Sequence, residues 1–123
     1  MARSVLVVDD EPNIVLSLEY LLKQVGYDVH VARDGEAALA AIAQHRPGLV
    51  LLDVMMPKRD GYDVCQTVRA NPDWADTRII MLTAKGRESE REKGLALGAD
   101  EYVTKPFSTR DVVDKVRSFL GNP

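Results

Sequence analysis

Three short runs in this chain, Val5-Leu6-Val7-Val8, Leu49-Val50-Leu51-Leu52 and Ile79-Ile80-Met81-Leu82, are apolar at every position. A strand with one wet face alternates polar and apolar residues, so a continuous β-branched run belongs to a strand covered on both faces, as in parallel sheets. Parallel neighbours need crossover connections, and helix-length amphipathic stretches lie between the runs. The alternation predicts an α/β chain of five strand-helix units. Its fold class is a doubly wound, flavodoxin-like (βα)5 sheet with strand order 2-1-3-4-5 and helices on both faces.

The remaining elements follow from periodicity and end signals. After the first strand, Pro12 sits near a helix start; Ile14, Leu18, Leu21, Leu22 and Val25 recur at helical spacing until Gly26 offers a left-handed cap. Asp28-Val29-His30-Val31-Ala32 is shorter and more polar, which suits a strand nearer the sheet edge. Asp34 can cap a second helix with Ala37, Ala38, Leu39, Ala41 and Ile42 on its apolar face, closed by Pro47-Gly48. A turn-rich loop over 57–61 precedes a third helix marked by Val64, Cys65 and Val68 that stops before Asn71-Pro72. The fourth helix, from about Glu88 to Gly98, has a thin apolar face. Tyr102-Val103 reads as a short fifth strand, and Ser108 with Asp111 starts a last helix packed through Val112, Val113, Val116, Phe119 and Leu120.

Size and composition fit one domain spanning 1–123. Surface scaling for 13.6 kDa lets about two-thirds of the unfolded chain's surface be buried. The net charge of −3 provides no general field for nucleic acid. Cys65 is the only cysteine, which excludes an internal disulfide and fits a reducing compartment, with the cytoplasm expected. No apolar run reaches the roughly 20 residues of a membrane span, and Met1-Ala2-Arg3-Ser4 leads into a strand pattern rather than a signal-peptide core.

The unusual residues fall at the carboxyl ends of the strands, where ligands bind in open α/β sheets. The first strand ends in Asp9-Asp10, the third in Asp53, the fourth in Thr83, and Lys105 follows the fifth. In the order 2-1-3-4-5 the first and third strands are neighbours, so three carboxylates share one crevice and need a counter-ion. Oxygen ligands with open positions suit Mg²⁺, which joins carboxylates to a phosphate. Lys105 supplies a point charge and Thr83 a hydroxyl donor for phosphoryl oxygens. The chemistry this implies is phosphoryl transfer onto a carboxylate, with Asp53 the nucleophile. Each residue also has an ordinary reading: Asp9, Asp10 and Glu11 as caps of the first helix, Asp53 as a structural strand end, Thr83 as a plain strand residue, Lys105 as a solvated loop charge. His30 and His45 read as surface residues, Cys65 as a small core hydrophobe and Trp74 as a cover for the end of the third helix.

Val7-Val8-Asp9-Asp10-Glu11-Pro12, Asp53-Val54-Met55-Met56-Pro57, Asp60-Gly61, Thr83-Ala84 and Lys105-Pro106-Phe107 together resemble the receiver (CheY-like) domain of two-component response regulators. Their order, with 30 residues from Asp53 to Thr83 and 22 from Thr83 to Lys105, extends the resemblance over essentially the whole chain. The resemblance implies Asp53 as phosphoacceptor, Asp9 and Asp10 as acidic metal-site residues, the Met55 carbonyl as a further Mg²⁺ ligand, Thr83 and Lys105 on the phosphoryl group, and a cis Lys105-Pro106 bond. It implies a phosphohistidine donor on a histidine kinase or histidine phosphotransfer protein. It also implies a signalling domain that catalyses only its own phosphorylation and slow dephosphorylation. Thr83 and Tyr102 would be the switch pair, altering the face made of helix four, strand five and helix five. Met55 and Lys85 occupy positions that tune hydrolysis in this family and resemble those of its slower regulators.

Charged residues on that face are usually solvated, yet Arg91, Asp100, Glu101, Asp111 and Lys115 resemble the dimer face of winged-helix response regulators. Phosphorylation would then promote a homodimer through Arg91 with Asp111 and through Asp100 or Glu101 with Lys115. Two other classes fit less well. A haloacid-dehalogenase-like phosphatase wants a second Asp two residues after the nucleophile, where this chain has Met55. A flavodoxin-like carrier needs a phosphate-cradling loop after the first strand, where Asp9-Asp10-Glu11 stand. A receiver that works without phosphorylation is disfavoured because Asp10, Asp53, Thr83 and Lys105 are all present.

Overall fold

Strands and helices alternate from one end of the chain to the other. The computed structural model describes residues 3–56, 59–84 and 88–123, so the expectations for the Met1-Ala2 start, for part of the loop over 57–61 and for Lys85 lie outside the described residues. The elements are β1 (Ser4–Val8), α1 (Pro12–Val25), β2 (Asp28–Ala32), α2 (Gly35–His45), β3 (Leu49–Asp53), α3 (Gly61–Ala70), β4 (Arg78–Ala84), α4 (Glu88–Ala96), β5 (Glu101–Lys105) and α5 (Thr109–Leu120), with one 3-10 turn at Pro72–Trp74 before β4. All ladders are parallel and the order is β2-β1-β3-β4-β5. This is a flavodoxin-like, doubly wound α/β fold, in the strand order expected from the sequence.

The two faces of the sheet divide the core by parity. Leu6, Val8, Val50, Leu52, Ile79 and Met81 face α2 and α3, where Ala38, Ile42, Val64, Cys65 and Val68 cover them. Val5, Val7, Leu49, Leu51, Ile80, Leu82 and Val103 face the other way, under Leu18 and Leu22 of α1 and Val112 and Val116 of α5. Burial on both faces is why the runs are apolar throughout.

End chemistry fixes where the chain turns. Gly26 adopts φ 115° at the end of α1, a left-handed conformation that costs a side chain about 1–2 kcal/mol. Asp34, Asp60 and Ser108 each accept a backbone N–H three residues on, capping α2, α3 and α5. α2 ends directly before Pro47-Gly48, as expected; Arg46 takes the left-handed cap position, φ 47°, and donates its N–H to the Ile42 carbonyl.

Candidate functional site

The carboxyl ends of β1, β3, β4 and β5 open on a cleft of about 180 Å³ whose walls include Asp53, Ala84, Glu90 and Lys105. Register puts the chemistry there. Val8 pairs with Leu52 and Asp53 with Leu82, so the residues following β1 and ending β3 emerge side by side. Thr83 pairs with Thr104 and Ala84 with Lys105, one and two positions further out. A larger hollow of about 360 Å³ between α1 and α5 shares none of these residues.

Asp9 is fully buried and Asp53 nearly so, while Asp10 is exposed; one carboxylate oxygen from each lies within 4.8 Å of the others. The Lys105 ammonium lies 2.8 Å from Asp9 Oδ2 and 3.2 Å from Asp53 Oδ1, with Glu11 Oε1 at 3.7 Å. It donates a hydrogen bond to Asp53 and forms a close ion pair with Asp9 Oδ2, so one ammonium serves both buried carboxylates. Burial first, and then the neighbouring charge of Asp9, push the Asp53 carboxyl up to about 6 against the lowering pull of Lys105. Lys105 is drawn down by burial, but its bond to Asp9 and the charge of Asp53 outweigh this and hold the ammonium above its ordinary range.

The capping reading of the acidic run fails on geometry. Glu11 occupies the cap position of α1, yet its side chain makes no capping bond, and the first turn carries no acidic residue. Asp9 instead uses Oδ1 to accept the Glu11 N–H at 3.0 Å, which fixes the carboxylate and leaves Oδ2 facing the cleft's charge. Thr83 Oγ1 is buried without a partner. One buried hydroxyl without a partner, Thr83 Oγ1, fits a phosphoryl oxygen, and three converging carboxylates that share a single ammonium fit a hard cation. Met55 is exposed on the cleft wall.

Support comes from close packing behind the site. A Cβ on Gly61 would lie 2.2 Å from the Asp53 carbonyl oxygen, and the Gly61 N–H donates to the Val54 carbonyl at 2.8 Å, so the start of α3 is clamped under the Asp53 loop. The Lys105-Pro106 peptide is cis, as expected.

The other expected residues take definite places. The Tyr102 ring on β5 lies between two cations, Arg91 of α4 at 4.9 Å and Lys115 of α5 at 5.4 Å, and Lys115 also donates to the Tyr102 carbonyl at 2.9 Å. Arg91 pairs with Glu88 and Lys115 with Asp111, within their own helices. Asp100 is committed inward: its Oδ2 accepts from Arg69 and from the Ile79 N–H, both at 2.8 Å. His30 and His45 stack on each other with ring centroids 3.7 Å apart, outside the cleft. Cys65 is buried, with its thiol pKa raised by burial, and Trp74 packs against the core beside α3.

Two residues went unread in the sequence. Arg69 donates to the Gly98 and Thr77 carbonyls, at 2.7 and 2.8 Å, as well as to Asp100, tying α3 to the turns before β4 and β5. Glu90 accepts the Ala84 N–H at 3.2 Å. Backbone partners leave no sequence pattern, so neither was legible.

The receiver-domain profile of response regulators matches residues 5–117, and the chain belongs to that family. It is similar to a candidate response regulator from Chloroflexus aurantiacus, with 37% identity, TM-score 0.94 and 98% of each chain covered. It also resembles the chemotaxis response regulator CheY4 of Vibrio cholerae, at 31% identity and TM-score 0.91, covering 98% of this chain and 100% of that one. A third match is the receiver domain of a Pseudomonas aeruginosa sensor histidine kinase, solved with a magnesium ion in its active-site cleft: 29% identity, TM-score 0.89, coverage 98% and 99%. This is therefore a receiver domain of two-component signalling. No helix among the described residues is long and apolar enough to cross a membrane.

Proposed function

We propose that Asp53 accepts a phosphoryl group from a phosphohistidine of a histidine kinase or histidine phosphotransfer protein, in a Mg²⁺-dependent reaction that the domain performs only on itself. The observation that carries this reading is the set of groups around Asp53: the Lys105 ammonium at 3.2 Å from its Oδ1, carboxylate oxygens of Asp9 and Asp10 within 4.8 Å, and, next after its ladder partner Leu82, the buried and unpartnered hydroxyl of Thr83. Asp53 Oδ attacks phosphorus as the P–N bond breaks, and the bonding pair remains on the imidazole nitrogen, which takes a proton from solvent. Lys105 compensates the charge developing on the phosphoryl oxygens, and the Thr83 hydroxyl donates to one of them. A Mg²⁺ held by Asp9, Asp10, Asp53 and the Met55 carbonyl would neutralise the carboxylates and bind a phosphoryl oxygen. The magnesium in the Pseudomonas relative's cleft supports this assignment.

Output runs through Thr83 and Tyr102 to the face of α4, β5 and α5. Self-association there would use Arg91 with Asp111 and Glu101 with Lys115. Asp100 is a poorer candidate for that face, because leaving Arg69 would strand a buried backbone amide. A histidine-kinase partner and a lone cysteine suit the cytoplasm. The test is intact mass after incubation with Mg²⁺ and acetyl phosphate. A gain of about 80 Da, one phosphoryl group on a carboxylate, is expected on the native chain and not on Asp53→Ala. No adduct on the native chain together with no Mg²⁺ binding overturns the reading.

A further inference from the structure

The cleft beside Asp53 already holds an anion of its own. Ala84 directly follows Thr83 at the end of β4, and its N–H donates at 3.2 Å to Glu90 Oε1 from the first turn of α4; both residues line the cleft with Asp53 and Lys105. A fixed backbone N–H at such a place is the kind of donor that stabilises phosphoryl oxygens. Here a carboxylate occupies it, and adds negative charge to a cleft whose only lining cation among the described residues is Lys105.

The position of Glu90 is built. Its own carbonyl accepts the Tyr62 hydroxyl at 3.3 Å, and the Tyr62 ring lies under the Lys93 ammonium at 4.4 Å, so α3 holds this turn of α4 over the cleft. The hold is light. Gly94 is the one described residue of α4 that is fully buried, so shifting the helix start exposes little apolar surface. The neighbour of Glu90 is Arg91, whose guanidinium covers Tyr102. One end of the turn thus touches the reaction cleft and the other touches the output residue.

We infer that Glu90 is an internal competitor for the phosphoryl pocket: its carboxylate holds the Ala84 N–H until a phosphoryl group on Asp53 displaces it, and its release moves Arg91 off Tyr102. The inference rests on Asp53 being the phosphoacceptor. It assigns to one side chain both a brake on phosphorylation and the first step of the output.

The test compares adduct formation from acetyl phosphate and Mg²⁺ in the native chain, Glu90→Ala, Glu90→Gln and Glu92→Gln, alongside amide exchange at Ala84 measured by NMR without metal. Glu90→Ala should take the phosphoryl group about tenfold faster and exchange its Ala84 amide about tenfold faster, as expected when a charge-assisted hydrogen bond is removed. Glu90→Gln keeps an acceptor but no charge and should fall between. Glu92, exposed on the same helix, controls for net charge and should leave both rates unchanged. Native rates in both Glu90 variants overturn the competitor role while leaving Asp53 as acceptor. Equal acceleration by Glu92→Gln overturns it in favour of a diffuse charge effect. No adduct in any of the four proteins overturns both readings.

Discussion

Lys105 and Asp53 form their 3.2 Å hydrogen bond from strands that are not neighbours: β4 stands between them, and the lysine side chain spans it. The pair therefore reports on alignment of the whole carboxyl edge. It also leaves Asp53 short of compensation, since Lys105 is shared with Asp9.

That shortage makes the metal-free fold pH-sensitive. A carboxyl raised from 3.8 to about 6 binds its proton more tightly folded than unfolded, so stability from this group is full below pH 4 and is lost as pH rises through 6. Asp53→Asn should therefore stabilise the chelator-treated protein at pH 7.5 by about 1–3 kcal/mol, with the gap closing toward pH 4. Urea unfolding of both proteins across that range measures it, and a gap that widens on acidification contradicts the assignment.

Magnesium should act in the opposite sense on the same carboxylates. At a free concentration a hundredfold above Kd, binding to the folded state alone adds about 2.7 kcal/mol. Asp10→Asn should lose most of that gain while folding normally without metal, because Asp10 is exposed. A full magnesium response in Asp10→Asn would remove this residue from the metal site.

At the opposite edge of the sheet, Arg69 stitches three segments together with three short bonds. Arg69→Met should cost about 2–4 kcal/mol, because it takes the donor from the Gly98 and Thr77 carbonyls and the nearer of two cations from the partly buried Asp100 carboxylate. Arg78, also paired with Asp100 but half-exposed at 3.5 Å, should cost less than about 1 kcal/mol when changed to Ala. Equal losses in chemical denaturation would show that the node is not what holds these turns.

The output face can be checked by sedimentation velocity of the protein loaded with Mg²⁺ and beryllofluoride, a phosphoryl mimic. A dimer that Arg91→Glu abolishes is expected, since reversing that charge opposes Asp111 across a twofold axis. A monomer at high micromolar concentration ends the proposal.

Much of this was readable from residues in order. The apolar runs gave β1, β3 and β4 because double-sided burial leaves no polar position, and the acidic strand ends gave the site because topology gathers them. What escaped depended on the third dimension. β5 is longer than its apolar pair suggests, running from Glu101 to Lys105, since a half-buried edge strand tolerates polar residues. Val15, absent from the expected apolar face of α1, is fully buried while Ile14 is only half-buried, a rotation set by how the helix lies on the sheet. The His30 and His45 stack joins a strand to the far end of the following helix, a distance that periodicity does not encode.

α4 contributes a single fully buried residue among those described, Gly94, whose Cβ would come within 3.1 Å of the Met81 side chain. The other described contacts of that helix are polar ones at its surface, through Glu90, Arg91 and Lys93, rather than core packing. Duplicated copies of such a domain can therefore diverge in what they recognise while keeping one core, and insulation between parallel signalling channels can evolve on α4 without the fold having to be solved again.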